Sequence, residues 1–403
     1  MRGLRTAHTA FVLSLFDTGL AVVRDLAAAG ISVTGFDSDR NQPGFSSRRC
    51  RAVVCPKPEK DQELVELLIK EADRHSEMPV VFPASDSFVA FLARNEARLR
   101  ERLLFNIPKP ELVEALVSKT TQFELVERLG VIVPKYFRVS TGEELARAAK
   151  ELRFPVFLKP ALGHRWQEHF HSKGIRVETG EEMVRQCRAV QALGLEIVAQ
   201  EIVPGPPSTN YEVSAYVSSR GEISGPFVMQ KYRQHPVDFG AGTMGQSIVH
   251  PELAALMREF LVRLKTRGFA GFANTEFKWD ERDGKFKYIE TNPRVWQQIG
   301  LAAKCGLDFA EIQYRDLTNQ PAPRPAGDYR SGVKWVDPVR DAYSFIENRK
   351  RGRLTFTEWI SSLSGARAFG IFSWKDPWPA FRSIVLTRQM PALAVSFLRS
   401  LGG

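Results

Sequence analysis

The stretch GFANTEFKWDERDGKFKYIETNPRVW, Gly271 to Trp296, decides the reading of this chain. Polar and apolar residues alternate from Asn274 to Trp279, which predicts a strand. Asp280 to Lys285 is charged and holds Gly284, the composition of a turn. Phe286 to Glu290 reads as a second short strand, so the pair predicts a hairpin. Side chains two apart on a strand share a face. Glu290 and Asn292 therefore present a carboxylate and an amide oxygen together, with Arg294 just beyond, and Glu276 can stand opposite them on the partner strand. Two carboxylates and an amide make an oxygen-only donor set. Such a set suits Mg2+, which is commonly held by one or two carboxylates plus substrate phosphates. Arg294 adds a fork that grips a phosphoryl or carboxylate oxygen through paired hydrogen bonds. Taken singly, each residue reads as a charge on a surface hairpin; the ordered set carries the metal reading.

The chain has 403 residues, 43% hydrophobic and 25% charged, an ordinary globular composition with room for more than one domain. Its formal net charge of +10 favours anionic partners such as nucleotides. The excess is not gathered in a Lys/Arg run, so no nucleic-acid partner is expected. Cys50, Cys55, Cys187 and Cys305 are scattered without a CxxC pair, which argues against a disulfide framework or zinc site and for a reducing cytoplasm. The run FVLSL at 11–15 is too short for a secretion signal. No apolar run approaches the roughly 20 residues needed to span a bilayer.

In the first third, Thr9 to Leu15, a helix from Leu20 to Ala29 closed by Gly30, and Ile31 to Phe36 form a βαβ pattern, so a parallel sheet is expected. GxGxxG is missing, which excludes a dinucleotide reading. Asp37 can bind a ribose or an amine, but at a strand end it reads first as a solvated acid. A helix over 61–74 and a strand from Pro79 to Phe82 continue the alternation. The following Pro83-Ala84-Ser85-Asp86 sits where α/β sheets take ligands, with Asp86 also placed to cap the next helix.

A helix is expected over 111–129, carrying Lys119 and ending at Gly130, and another from Thr141 to Leu152 opened by Thr141-Gly142-Glu143-Glu144. FPVFLKP, 154–160, is an apolar strand closed by Lys159, an arrangement that is costly unless the lysine faces an anion. The segment 163–174 reads as a loop. Its His164, His169 and His171 do not suggest a metal cluster, whereas Arg165, His169 or Lys173 can meet phosphate or acyl substrate. A helix over 181–193 leads to a strand from Glu196 to Gly205. Tyr211 to Val217 and Gly225 to Lys231 read as antiparallel strands around Arg220-Gly221, with Lys231 and Arg233 on one face, placed to meet phosphate or a carboxylate. Gly240 to Gly245 reads as a mobile loop, and a helix over 252–265 returns to the hairpin. Pro321, Pro323 and Pro325 mark a linker. Beyond it, 341–352 and 379–399 are amphipathic and basic, and the tail reads as a helical cap on the core. Dimer contact, or peripheral membrane contact through Arg382, Arg388 and Arg399, stays open.

The hairpin sequence NTEF…YIETNPR resembles the metal-binding end of the ATP-grasp superfamily. PVFLKP around Lys159 and QEIVPG, Gln200 to Gly205, resemble two further family motifs in the family's order. The resemblance covers roughly 105–315 well and the N-terminal third loosely. It implies an α/β chain, α+β in the nucleotide domain: a parallel-sheet N-terminal substrate domain over 1–110, an ATP-grasp domain over 111–320 with its hinge near 200–205, and a C-terminal helical extension over 321–403. It implies that Lys119 and Lys159 reach ATP phosphates, that Gln200, Glu201, Ile202 and Val203 line the adenine site, that Asn210 or Glu212 holds the ribose, and that Lys231 lines the nucleotide cleft. Glu276, Glu290 and Asn292 are then the Mg2+ or Mn2+ ligands, and Arg294 with Lys159 stabilises the transferred group. The implied activity is ADP-forming ligation of a small-molecule carboxylate to an amine, resembling the D-aspartate-ligase and carbamoyl-phosphate-synthase type. An amino acid joined to a peptide or cell-envelope precursor is the expected substrate pair. The loop at 163–174 departs from the family's glycine-rich version. A carboxylase or kinase-like acceptor, and a non-catalytic nucleotide-binding or membrane-associated protein, remain alternatives.

Overall fold

The computed structural model describes residues 6–160, 174–321 and 328–386. The expected loop as far as Lys173, with its histidines and Arg165, lies outside the described residues, as do Pro323, Pro325 and 387–403. The chain divides into two compact units. The first gathers Met1–Val113, Glu212–Asn274 and Asn292–Gly403; the second gathers Glu114–Tyr211 and Thr275–Thr291.

The first unit opens with the expected parallel sheet. Strands β1 (Ala10–Leu13), β2 (Val33–Asp37), β3 (Arg51–Val54) and β4 (Val80–Pro83) lie in the order β3-β2-β1-β4. Ala10 pairs with both Val33 and Val80. The helix Asp17–Ala28 buries Val22, Val23 and Leu26 against Val12 and Phe82, and Gly30 at φ +82° provides the left-handed turn out of it. Two expectations about acids are corrected. Asp37 is buried rather than solvated: its Oδ2 accepts the Leu15 amide at 2.7 Å and its Oδ1 the Asp39 amide at 3.0 Å, and burial raises its pKa. Ser85, not Asp86, caps the helix Asp86–Arg94, its side chain accepting from the Phe88 amide, because Asp86 is already the first helical residue.

The second unit holds an antiparallel sheet of β5 (Tyr136–Val139), β6 (Val156–Pro160), β7 (Ile175–Val177) and β8 (Ile197–Glu201), ordered β5-β8-β6-β7. Helices Gly142–Glu151 and Gly180–Gln191 cover one face, where Leu145, Met183, Leu158 and Ala199 share a core. Thr141 and Glu144 form the capping box that the sequence signals. The continuous helix expected over 111–129 is instead two, Pro110–Val117 and Lys119–Arg128, broken where Ser118 adopts extended backbone. Ser118 and the threonines after it disfavour a helix interior, so the chain restarts there.

The chain re-enters the first unit along β9 (Asn210–Val217), then β10 (Ile223–His235) and β11 (Ala241–Ile248). The glycines of 240–245 are thus largely strand rather than loop. A Cβ on Gly245 would stand 2.9 Å from the Gln230 carbonyl oxygen, so glycine serves close strand packing there. The hairpin is β12 (Gly271–Asp280) and β13 (Lys285–Asn292), as the sequence predicts with slightly longer arms. The tail holds helices Pro338–Lys350, Phe356–Leu363 and Trp378–Leu386. It is more than a cap, because β14 (Lys334–Val336) pairs antiparallel with β11 and β15 (Ala366–Phe369) pairs with β14.

Lys231 and Arg233 do not act together on one face. The β10–β11 register shifts between them. The Arg233 guanidinium forks onto Asp341 at 2.8 and 2.7 Å, and Asp341 also accepts from Thr243 Oγ1 at 2.9 Å and Trp359 Nε1 at 2.8 Å. Asp341 is fully buried and Arg233 nearly so, so removing either partner strands a charge. Asp341→Ala is expected to cost about 3–5 kcal/mol in urea denaturation, and the paired change Arg233→Met with Asp341→Leu to cost much less.

Candidate functional site

The second unit sets the two expected lysines along one helix, the first of them paired with a carboxylate of the hairpin. Lys119 is the first residue of its helix, where an ammonium meets the positive end of the helix dipole. Glu290 offsets that penalty: Lys119 Nζ donates to its Oε2 at 2.7 Å, both side chains being 26% exposed. Lys159, near the end of β6, sets its ammonium 5.3 Å from the Phe123 ring centroid, one turn further along the same helix. Phe123 in turn stacks on Tyr136 of β5. Lys159 pairs with Val198 and Phe157 with Gln200, on the sheet face opposite the Leu158–Ala199 core.

Sequence reasoning missed Gln122. This glutamine is 1% exposed and lies three residues after Lys119. Its Nε2 donates to the Thr291 carbonyl at 2.8 Å and to the Leu116 carbonyl, and its Oε1 accepts the Thr291 amide at 3.2 Å. One side-chain amide thus holds both backbone polar groups of the residue between Glu290 and Asn292. It also satisfies a carbonyl left over where the preceding helix stops. A glutamine on a helix gives no such signal in sequence; only the break at Ser118 turns it toward the strand. On the hairpin itself the Thr275 and Thr291 hydroxyls meet at 2.9 Å, with Glu276 and Glu290 the next residues along the two strands.

The adenine-site expectation falls on β8 and the turn after it. Gln200 is 4% exposed, and its Oε1 has no hydrogen-bond partner among the described residues. A buried lone acceptor at this place fits an amino group on a bound base. The Glu201 side chain is instead used internally, accepting the Arg153 amide at 3.1 Å and standing 3.9 Å from Arg282. Ile202 is half-buried and Val203 buried beyond the strand end, and half-buried Asn210 begins β9. A surface cavity of about 1020 Å3 in this unit is lined by charged residues including Glu201, Arg282 and Lys135, but by none of Lys119, Lys159, Glu276 or Glu290.

The first unit holds the remaining expected residues. Glu212 and Lys231 are both buried, with Lys231 Nζ 3.9 Å from Glu212 Oε1. Arg294 Nε donates to Asp86 Oδ1 at 2.7 Å, and Nη2 approaches Asn292 Oδ1 at 3.4 Å. Asp86 at the carboxyl end of β4 thus orients the arginine. Among the described residues no group of three or more His, Cys, Asp or Glu gathers as a metal site. The candidate set of Glu276, Glu290 and Asn292 has two carboxylates and an amide oxygen, hard donors that fit Mg2+ or Mn2+.

No family model matches the chain. The chain is 24% identical over 313 residues to the D-aspartate ligase of Enterococcus faecium, covering 73% of each. It is 29% identical over 197 residues to the carbamoyl phosphate synthase large chain of Methanothrix thermoacetophila, of which it spans 17%. Among solved structures it is similar to the N5-carboxyaminoimidazole synthetase of Staphylococcus aureus complexed with ADP, with a TM-score of 0.65 at 13% identity over 83% of this chain and 82% of that one. The biotin carboxylase domain dimer of Hydrogenobacter thermophilus 2-oxoglutarate carboxylase, in complex with MgADP and bicarbonate, gives 0.63 at 18% identity over 82% of this chain and 74% of that one. The L-amino acid ligase of Bacillus licheniformis gives 0.59 at 17% identity over 79% and 76%.

Gln122→Leu leaves the Thr291 amide and carbonyl without this partner. It is expected to lower stability by about 1–3 kcal/mol. By loosening the residues on either side it is also expected to weaken Mg2+ binding by at least about tenfold in titration calorimetry.

Proposed function

We infer that this chain, which has the ATP-grasp fold, is an ATP-dependent carboxylate–amine ligase that forms ADP. The observation that carries the reading is the Lys119–Glu290 pair joining helix and hairpin, with Lys159 against Phe123 one turn along the same helix. A polyphosphate with a divalent cation matches both halves of that charge pattern.

We propose the following roles. Glu276, Glu290 and Asn292 would hold Mg2+ or Mn2+, which supplies positive charge to the phosphoryl oxygens. Lys119 and Lys159 neutralise phosphate charge. The Gln200 amide oxygen, with Ile202, Val203 and the Glu201 backbone, recognises the base; Asn210 or Glu212 holds the ribose, and Lys231 lines the same site. Arg294, oriented by Asp86, and Lys159 stabilise the group in transfer. A substrate carboxylate oxygen attacks the γ-phosphorus and ADP leaves. An amine nitrogen then attacks the acyl carbon, the C–O bond to phosphate breaks, the nitrogen loses a proton, and amide and inorganic phosphate result.

The relatives named D-aspartate ligase and L-amino acid ligase support an amino acid as one substrate. We further propose that residues 1–110 serve the substrate side, 111–320 the nucleotide and 321–403 an extension, and that the protein works in the cytoplasm, where its cysteines stay thiols. A homodimer is the proposed assembly, the state named for the biotin carboxylase domain. That neighbour's bicarbonate favours a second reading, in which bicarbonate is the carboxylate that is activated.

Amino acids offered singly and in pairs, with and without bicarbonate, are expected to release ADP only with Mg2+. Product masses distinguish an amide from a carboxylated amine. Lys159→Ala and Glu290→Gln are each expected to lower ADP release at least about 100-fold with the folded state retained. Unchanged turnover in either variant contradicts the assignment.

A further inference from the structure

The segment after β15 carries three large aromatic side chains in water. Trp374 is 84% exposed, Phe381 63% and Trp378 45%. The segment is held in place from below. Asp376, only 2% exposed, accepts Arg24 Nε at 3.1 Å, Ser47 Oγ at 2.8 Å and the Arg48 amide at 3.2 Å. The aromatics are therefore displayed from an anchored loop and the start of a helix.

Guanidinium groups lie beside this segment. The Arg48 guanidinium lies 5.1 Å from the Trp378 ring centroid. Arg49 donates to the Lys375 carbonyl at 3.1 Å, and Arg382 to the Arg40 carbonyl at 2.7 Å. These contacts put the guanidinium groups of Arg48, Arg49 and Arg382 beside the segment that carries the rings. The one acid in this segment, Asp376, is buried and engaged, so it does not offset the three guanidinium groups. The sequence after Asp376 contains no acidic residue.

We propose that this face docks on an anionic lipid surface. Tryptophan and phenylalanine seat in the headgroup layer, and arginine and lysine beside them are drawn to acidic headgroups. A second copy using the same patch would bring the same cations against it, so self-association is disfavoured. A single-stranded nucleic acid needs a groove that tracks its backbone, whereas these rings protrude. Among the described residues no helix is long and apolar enough to cross a membrane. The lipid contact is independent of the ligase reading.

The test uses the full chain and vesicles of phosphatidylcholine with or without phosphatidylglycerol. The chain is expected to co-sediment with the anionic vesicles only, and less at high salt. Trp374→Ala with Phe381→Ala is expected to lower the partition coefficient at least about tenfold. Arg48→Glu with Arg49→Glu is expected to lower it by a similar factor. Unchanged melting temperatures show that both variants fold. Absence of binding to anionic vesicles, equal binding by the aromatic variant, tighter binding to a single-stranded oligonucleotide than to the vesicles that is lost in the aromatic variant, or a solution dimer that dissociates in the aromatic variant would each overturn the proposal.

Discussion

One buried amide holds the end of β13. Gln122 takes both backbone polar groups of Thr291, and Lys119, three residues earlier on the same helix, takes the carboxylate of Glu290. A strand end with polar residues would otherwise be free to fray, since its backbone groups need partners once out of water. Here the helix supplies them, so Thr291 and its neighbour Glu290 are held by protein groups. The lysine sits at the unfavourable end of its helix dipole, which makes that end receptive to anions.

The tail follows the same rule of satisfying buried charge. Asp341 collects the Arg233 fork, a threonine hydroxyl and the Trp359 indole, four donors on one fully buried carboxylate. Such a group is tolerated only when every lone pair is used. The shift in β10–β11 register separates Arg233 from Lys231, which lies within 3.9 Å of a different carboxylate, Glu212. Two cations that alternate in sequence thus have separate partners, one structural and one in the expected nucleotide cleft.

The hairpin was legible from period-two alternation and turn composition, the parallel N-terminal sheet from the strand–helix–strand order, and the fold class from the motif resemblance. The capping box at Thr141 and Glu144 was legible from its local spacing. What could not be read depended on distant partners. The break at Ser118 is weak in sequence, yet it decides where Lys119 and Gln122 point. The glycines of 240–245 read as loop because close packing between strands leaves no mark in composition. Asp37 and Asp86 read as a solvated acid and a cap, because the groups they meet, the Leu15 amide and the Arg294 guanidinium, lie 22 and 208 residues away in the chain. The strands of the tail, too short to alternate visibly, were hidden behind its helices.

The central claim is that a substrate carboxylate is phosphorylated before an amine displaces the phosphate. Its most direct test is the fate of oxygen during a single turnover. Amino acid substrate carrying 18O in its carboxylate is incubated with ATP, Mg2+ and the amine, and the inorganic phosphate is examined by 31P NMR. One labelled oxygen transferred to each phosphate released in the coupled reaction is the predicted result. Amide formed alongside phosphate that contains no label would contradict it.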